Sequence, residues 1–112
     1  MIVENTQTQM RKGVLEYCIL STIAKGETYA SDIISELKKA QLLVVEGTLY
    51  PLLTRLKNNG LLSYNWVEST SGPPRKYYVL SEEGIKVLEQ LDKTWYELAF
   101  AVPTSIGDRK VK

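Results

Sequence analysis

The strongest constraint on this chain is the spacing of apolar residues near its C-terminus. Gly84, Leu88, Leu91, Trp95, Leu98 and Val102 recur at 4-3-4-3-4 intervals, a strict seam of a- and d-type helix positions. Ile85, Val87, Ala99 and Phe100 widen it. A helix of about 22 residues is ~33 Å long, and such a seam needs apolar cover along its whole length. A chain of 112 residues builds one modest core. The uncovered side is therefore expected to face a second copy of the same helix, with the first helix of the chain alongside. Tyr17, Leu88, Leu91, Trp95, Leu98 and Val102 are the expected interface of a twofold homodimer.

The remaining elements follow from periodicity and punctuation. Gln9 to Lys25 reads as a helix with an unusually wide apolar arc: Met10, Val14, Tyr17, Ser21 and Ala24 on one row, Leu15, Cys18, Ile19, Thr22 and Ile23 beside it. Gly26 suits its C′ position. A second helix is expected over Ala30 to Gln41, with Ile33, Ile34 and Leu37 inward and Ser31 and Asp32 in its first turn. The β-branched run 42–45 predicts a short extended link. A third helix spans about Gly47 to Asn59, with Leu49, Leu52, Leu53 and Leu56 as one stripe. Pro51 places its start near 47–48, because a proline is tolerated in the first turn. Asn59-Gly60 stops it. Leu61 to Glu68 and Arg75 to Leu80 read as strands, joined by the turn-rich tip Ser69 to Pro74. Ser81 caps the last helix, with Glu82 and Glu83 in its first turn. That helix is expected to break at Pro103, leaving residues 104–112 as a flexible polar tail.

The order is α-α-α-β-β-α. This predicts a mainly α (α+β) fold, a winged helix-turn-helix over 1–80 with a long C-terminal dimerisation helix over 81–103. In that architecture the second helix of the pair enters the DNA major groove.

Composition excludes several chemistries. The chain has no His and one Cys, so His-based triads, His-ligated metals, internal disulfides and multi-Cys zinc sites are ruled out. Cys18 lies mid-helix among apolar residues, where a small core residue is the simplest role. There is no Gly-rich phosphate loop and no GxSxG. An enzyme, a cofactor and a metal site are not expected. No apolar run approaches the ~18 residues of a membrane span, and the first residues do not read as a signal peptide. A reducing, cytoplasmic setting and no membrane partner are expected.

Net charge is +1, but it is unevenly placed. Residues 46–80 carry Arg55, Lys57, Arg75 and Lys76 against Glu46 and Glu68. The exposed side of the third helix offers Thr48, Tyr50, Thr54, Arg55 and Asn58, types that hydrogen-bond to bases and phosphates. The hairpin sets Arg75 and Lys76 directly after a stiff turn. A basic hairpin beside a Thr- and Arg-bearing helix is the electrostatic layout of a groove-and-backbone reader of double-stranded DNA.

Two segments carry a resemblance. GTLYPLLTRLKNNGLL (47–62) and PRKYYVLSEEG (74–84) resemble the PadR family of bacterial transcriptional regulators, and the likeness extends over roughly residues 9–102. The single terminal helix is similar to the short subfamily. The resemblance implies a dimeric winged-helix repressor, often of detoxification or efflux operons. It places recognition-helix residues on Thr48, Tyr50, Pro51, Thr54 and Arg55, and the wing's basic pair on Arg75 and Lys76. It implies further contacts from Gln9, Arg11 and Lys12 of the first helix and from Tyr29 and Ser31 at the start of the second. Some short members hold a flat aromatic ligand between paired tryptophans of the last helix. Trp95 matches that position, implying a small planar, apolar or cationic effector. Many relatives carry glycines and an extra Arg before the wing's RKYY, where this chain has Gly72-Pro73-Pro74. That makes a stiffer, less cationic tip. Two other readings stand beside a sequence-specific repressor on a palindromic operator: a winged-helix protein-interaction module, and a small-molecule sensor with a pocket at the dimer interface.

Overall fold

The computed structural model describes residues 2–111. Its elements run α1 (Ile2–Ala24), α2 (Ala30–Lys39), α3 (Glu46–Asn58), β1 (Leu62–Ser69), β2 (Gly72–Leu80) and α4 (Glu82–Ile106). The expected order and the mainly helical winged-helix class are what the chain adopts. β1 and β2 form an antiparallel ribbon.

The core is built from the expected stripes. Ile19, Leu20 and Ile23 of α1 meet Ile33 and Leu37 of α2 and Leu49, Leu53 and Leu56 of α3, with Val44, Leu62 and Tyr78 closing the edges. Full burial of each such aliphatic side chain contributes about 1.5–3 kcal/mol. Cys18 is half-buried against this cluster, and burial pushes its thiol pKa up.

Helix ends explain how the turns are fixed. After α2 the chain reverses through Gln41 at φ 65°, with the Gln41 N–H bonding to the Lys38 carbonyl and the Leu42 N–H to the Leu37 carbonyl. The same pair of hydrogen bonds closes α3: the Gly60 N–H, at φ 78°, donates to the Lys57 carbonyl and the Leu61 N–H to the Leu56 carbonyl. Both are Schellman motifs. Glycine fills the left-handed position only in the second.

Several boundaries differ from expectation. α1 starts at Ile2 rather than Gln9. Residues 2–13 are exposed, so no burial period marks them. The helix simply propagates outward from its packed half, one hydrogen bond per added residue. α2 ends at Lys39 rather than Gln41. Pro51 is not in the first turn of α3, which starts at Glu46. It sits in the second turn, on an exposed face where water can serve the freed carbonyl. Pro103 does not end α4, which continues to Ile106, so the terminal segment begins later than 104. The missing N–H lies in an exposed stretch, and the Thr104 hydroxyl donates to the Phe100 carbonyl at 2.7 Å. The hairpin is also tighter than expected. β2 begins at Gly72, and a bulge between Val67 and Ser69 accommodates Pro73 and Pro74 inside the strand. Prolines fit in such a ribbon at a bulge, where no ladder donor is required.

α4 is set rigidly on the winged domain. Ser81 caps it as expected, its Oγ accepting from the Gly84 N–H at 2.9 Å. The same hydroxyl donates to the Gly60 carbonyl at 2.6 Å, and the Ser81 N–H donates to the Leu61 carbonyl at 3.1 Å. Gly84 presses on that backbone so closely that a Cβ would overlap the Leu61 carbonyl oxygen. The seam position read as Gly84 is therefore a close backbone approach within the chain. Beyond it, Leu88 and Leu91 pack against the core cluster, while Trp95, Leu98, Phe100 and Val102 are exposed.

Candidate nucleic-acid interface

Strand alternation decides which way each wing residue points. Tyr64 pairs with Tyr78, Trp66 with Lys76 and Val67 with Arg75. Tyr64, Trp66, Lys76 and Tyr78 thus share one face, and Arg75 and Tyr77 the other. Tyr78 is buried and belongs to the core. Lys76 lies with its Nζ 4.4 Å from the centre of the Tyr64 ring and 5.4 Å from Trp66. Lys57 approaches Tyr64 from α3 at 5.5 Å.

Arg75 turns to the start of α2. Its Cζ lies 3.8 Å from the Tyr29 ring centre, and its Nη2 donates to Ser31 Oγ at 2.6 Å. Tyr77 packs on Tyr29 at 4.5 Å and 55°. Tyr29 occupies the N-cap position of α2, where the Asp32 carboxylate accepts from its backbone N–H at 3.2 Å. An acid there also suits the helix dipole. A cleft of about 410 Å³ opens between this corner, the first turns of α3 and the wing, lined among others by Ser31, Glu46, Tyr50, Trp66, Arg75 and Lys76.

The opposite flank of α3 forms a second cleft of about 510 Å³, which brings Arg11 and Lys12 of α1 against Thr48 and Pro51. The N-terminal half of α3 therefore projects between two pairs of cations, one from α1 and one from the wing. Gln9 and Thr54 are exposed and line neither cleft. Arg55 is engaged within the chain: its Nη1 lies 3.1 Å from Glu16 Oε1 on half-buried ground beside α1, approaching off the N–H axis. Trp66, Tyr77, Glu46 and Glu16 were not among the site residues expected from the sequence. No local pattern of residues sets the hairpin register that places Trp66 beside Lys76.

The seam carries its own site. α1 and α4 run in opposite directions along their contact, and a cavity of about 250 Å³ between them is lined by Met10, Val14, Tyr17, Leu91, Trp95 and Leu98, with Gly13 and Thr94. The Tyr17 hydroxyl donates to Asp92 Oδ1 at 2.6 Å. That hydrogen bond, then burial, then the carboxylate's charge push the Tyr17 pKa up to about 12. Tyr17 thus reaches α4 of its own chain.

A helical pair with a projecting recognition face, a basic two-stranded wing and a long terminal helix defines the winged-helix class of regulators. Comparison with known proteins narrows this. Residues 19–90 match the PadR-like family of transcriptional regulators. The chain is similar to a PadR-like transcription factor structure from Bacteroides fragilis, at 61% identity over 89% of this chain and 97% of that one, with a TM-score of 0.78. It is 30% identical to a PadR family regulator from Eggerthella lenta over 96% of this chain and 95% of that one, with a TM-score of 0.82. The structure of Bacillus subtilis PadR in complex with operator DNA is 28% identical and has a TM-score of 0.65, covering 70% of this chain and 46% of that longer one. The chain belongs to the PadR-like family and is a transcriptional regulator, not an enzyme. Among the described residues no helix is long and apolar enough to cross a membrane.

The raised Tyr17 pKa has a sign. A hydroxyl that ionises near 12 when folded, against 10.0 in the ordinary case, stabilises the fold fully below pH 10. That contribution is lost as pH rises from 10 to 12. Denaturant midpoints of the parent should therefore fall faster than those of Tyr17→Phe across this window, and a parallel decline would show that the Asp92 bond carries no stability.

Proposed function

We propose that this chain is a DNA-binding repressor, acting in the cytoplasm as a homodimer on a palindromic operator. The observation that carries the reading is the placement of α3 between two cationic flanks. Its exposed residues Thr48, Tyr50, Pro51 and Thr54 enter the major groove, where side chains meet base edges. Arg11 and Lys12, with Gln9, hold phosphates on one side, and Arg75 and Lys76 hold them on the other. Arg55, paired with Glu16, braces the recognition helix against α1. A salt titration on random-sequence duplex tests this assignment. Each phosphate contact releases ~0.9 counterion, so Lys76→Ala should flatten the log–log slope by about one and weaken all sequences alike. Thr54→Ala should instead cost ~1–3 kcal/mol at particular base pairs. Parent-like slopes in Lys76→Ala would remove the wing from the interface.

Dimerisation is supported by what a single copy leaves uncovered. Leu98 and Val102 are about half exposed, at 47% and 49%, and Phe100 is 74% exposed, all on the projecting half of α4. A second copy covering them gives two reading heads, one per half-site. Leu98→Lys with Val102→Lys would bury unpaired charges at that seam, a penalty of at least several kcal/mol. Sedimentation should report a folded monomer with weakened operator binding, and an intact dimer would place the interface elsewhere.

The cavity beside Trp95 favours release of DNA by a flat apolar or cationic effector. An indole face attracts such a guest by ~0.5–2 kcal/mol through cation–π contact. Ethidium should quench Trp95 fluorescence in a Trp66→Phe background and lower operator affinity. Absence of quenching would leave Trp95 as a packing residue.

A further inference from the structure

The first turn of α2 and the wing meet in a way that a list of DNA-contacting residues does not account for. Thr28 forms a bridge to Tyr78, with reciprocal backbone hydrogen bonds of 3.2 and 2.8 Å. In an antiparallel bridge the next residue, Tyr29, falls opposite Tyr77 and on the same face as Arg75. The contacts follow that register. Tyr77 packs on the Tyr29 ring at 4.5 Å, and the Arg75 guanidinium lies over the ring at 3.8 Å. Ser31 then fixes Nη2 at 2.6 Å. The Tyr29 ring is only partly exposed and already holds two partners, while Arg75 itself is exposed. A guanidinium has five N–H donors in a fixed fork. Ser31 engages one nitrogen and leaves other donors for an anionic acceptor. No acidic side chain is paired with Arg75 among the described ion pairs.

We propose that Tyr29 is a positioning residue: its ring holds the Arg75 guanidinium in place for one DNA phosphate and makes no DNA contact of its own. This rests on the DNA-binding reading above and changes the role of Tyr29 within it. A long side chain that binds phosphate from free solution gives up its rotamer freedom at that moment. Here the stack and the Ser31 bond have ordered Arg75 beforehand. Lys76, on the other face of the ribbon, has its own aromatic neighbours in Tyr64 and Trp66 and does not touch Tyr29.

The test is a double-mutant cycle on random-sequence duplex at fixed salt, with unfolding midpoints as the control for folding. Tyr29→Leu keeps apolar bulk and removes the aromatic face. It should weaken binding about three- to tenfold, the equivalent of ordering one rotamer-rich side chain. Tyr29→Phe, which keeps the ring and loses the hydroxyl, should restore binding to within about twofold of the parent. In an Arg75→Ala background, Tyr29→Leu should have no further effect, because its target is gone. Losses that add in the double mutant, with Arg75→Ala itself impaired, would overturn the inference and leave the DNA-binding reading standing. Tyr29→Phe binding as weakly as Tyr29→Leu would assign the hydroxyl a direct contact and overturn it too. An Arg75→Ala protein that binds like the parent would overturn both the inference and the wing's part in the function. If Tyr29→Leu does not fold, Ser31→Ala removes the other tether. Its loss of about twofold should also vanish in the Arg75→Ala background, and persistence there would count against the proposal.

Discussion

The two backbone hydrogen bonds between Thr28 and Tyr78 hold the wing to the helical body. Both residues are buried, so removing either bond would strand a donor or acceptor away from water, at about 1–3 kcal/mol each. A two-stranded ribbon by itself is marginal in water. This bridge makes β2 the centre of a three-stranded corner and commits Tyr78 to the core. It also aligns Tyr29 with Tyr77, and so brings Arg75 to the start of α2. The position of the wing against the start of α2 follows from one bridge residue that has no strand of its own.

A second set of backbone contacts fixes the terminal helix. The Schellman turn at Gly60 exposes the Gly60 and Leu61 carbonyls to α4, and Ser81 takes both, one through its hydroxyl and one through its N–H. Gly84 packs so closely on Leu61 that no side chain fits. α4 therefore leaves the domain without a hinge at Ser81. These contacts join the base of α4 to the α3–β1 turn at the C-terminal end of α3. Tyr17 and Asp92 tie α1 to the same arm, and the cavity beside Trp95 lies one turn further out.

Much of the fold was legible because its signals are local. The leucine stripe of α3, the Asn59-Gly60 stop and the Ser81 cap each reside in a handful of consecutive residues, and each forms as expected. The candidate site was legible in part. Thr48, Tyr50, Arg11, Lys12, Arg75 and Lys76 do converge around α3. The helix lengths were misread where burial gave no period, as in residues 2–13, or where a proline lay in an exposed turn, as at Pro103. The hairpin was misread because two prolines suggest a loop, and a bulge absorbs them.

Amino-acid order alone determined the element types, the three inward stripes, the caps that end the helices and the presence of a basic hairpin beside a hydrogen-bonding helix face. These depend on neighbours within one or two turns, whose chemistry the sequence states directly. Tertiary structure decided which partners those residues meet. Arg55 faces Glu16 across 39 positions of sequence, Arg75 lies on Tyr29 and Ser31, and Trp66 flanks Lys76. A side chain's partner depends on the register of a ribbon and the angle between helices. Those are set by how the whole core closes, and no local pattern encodes them.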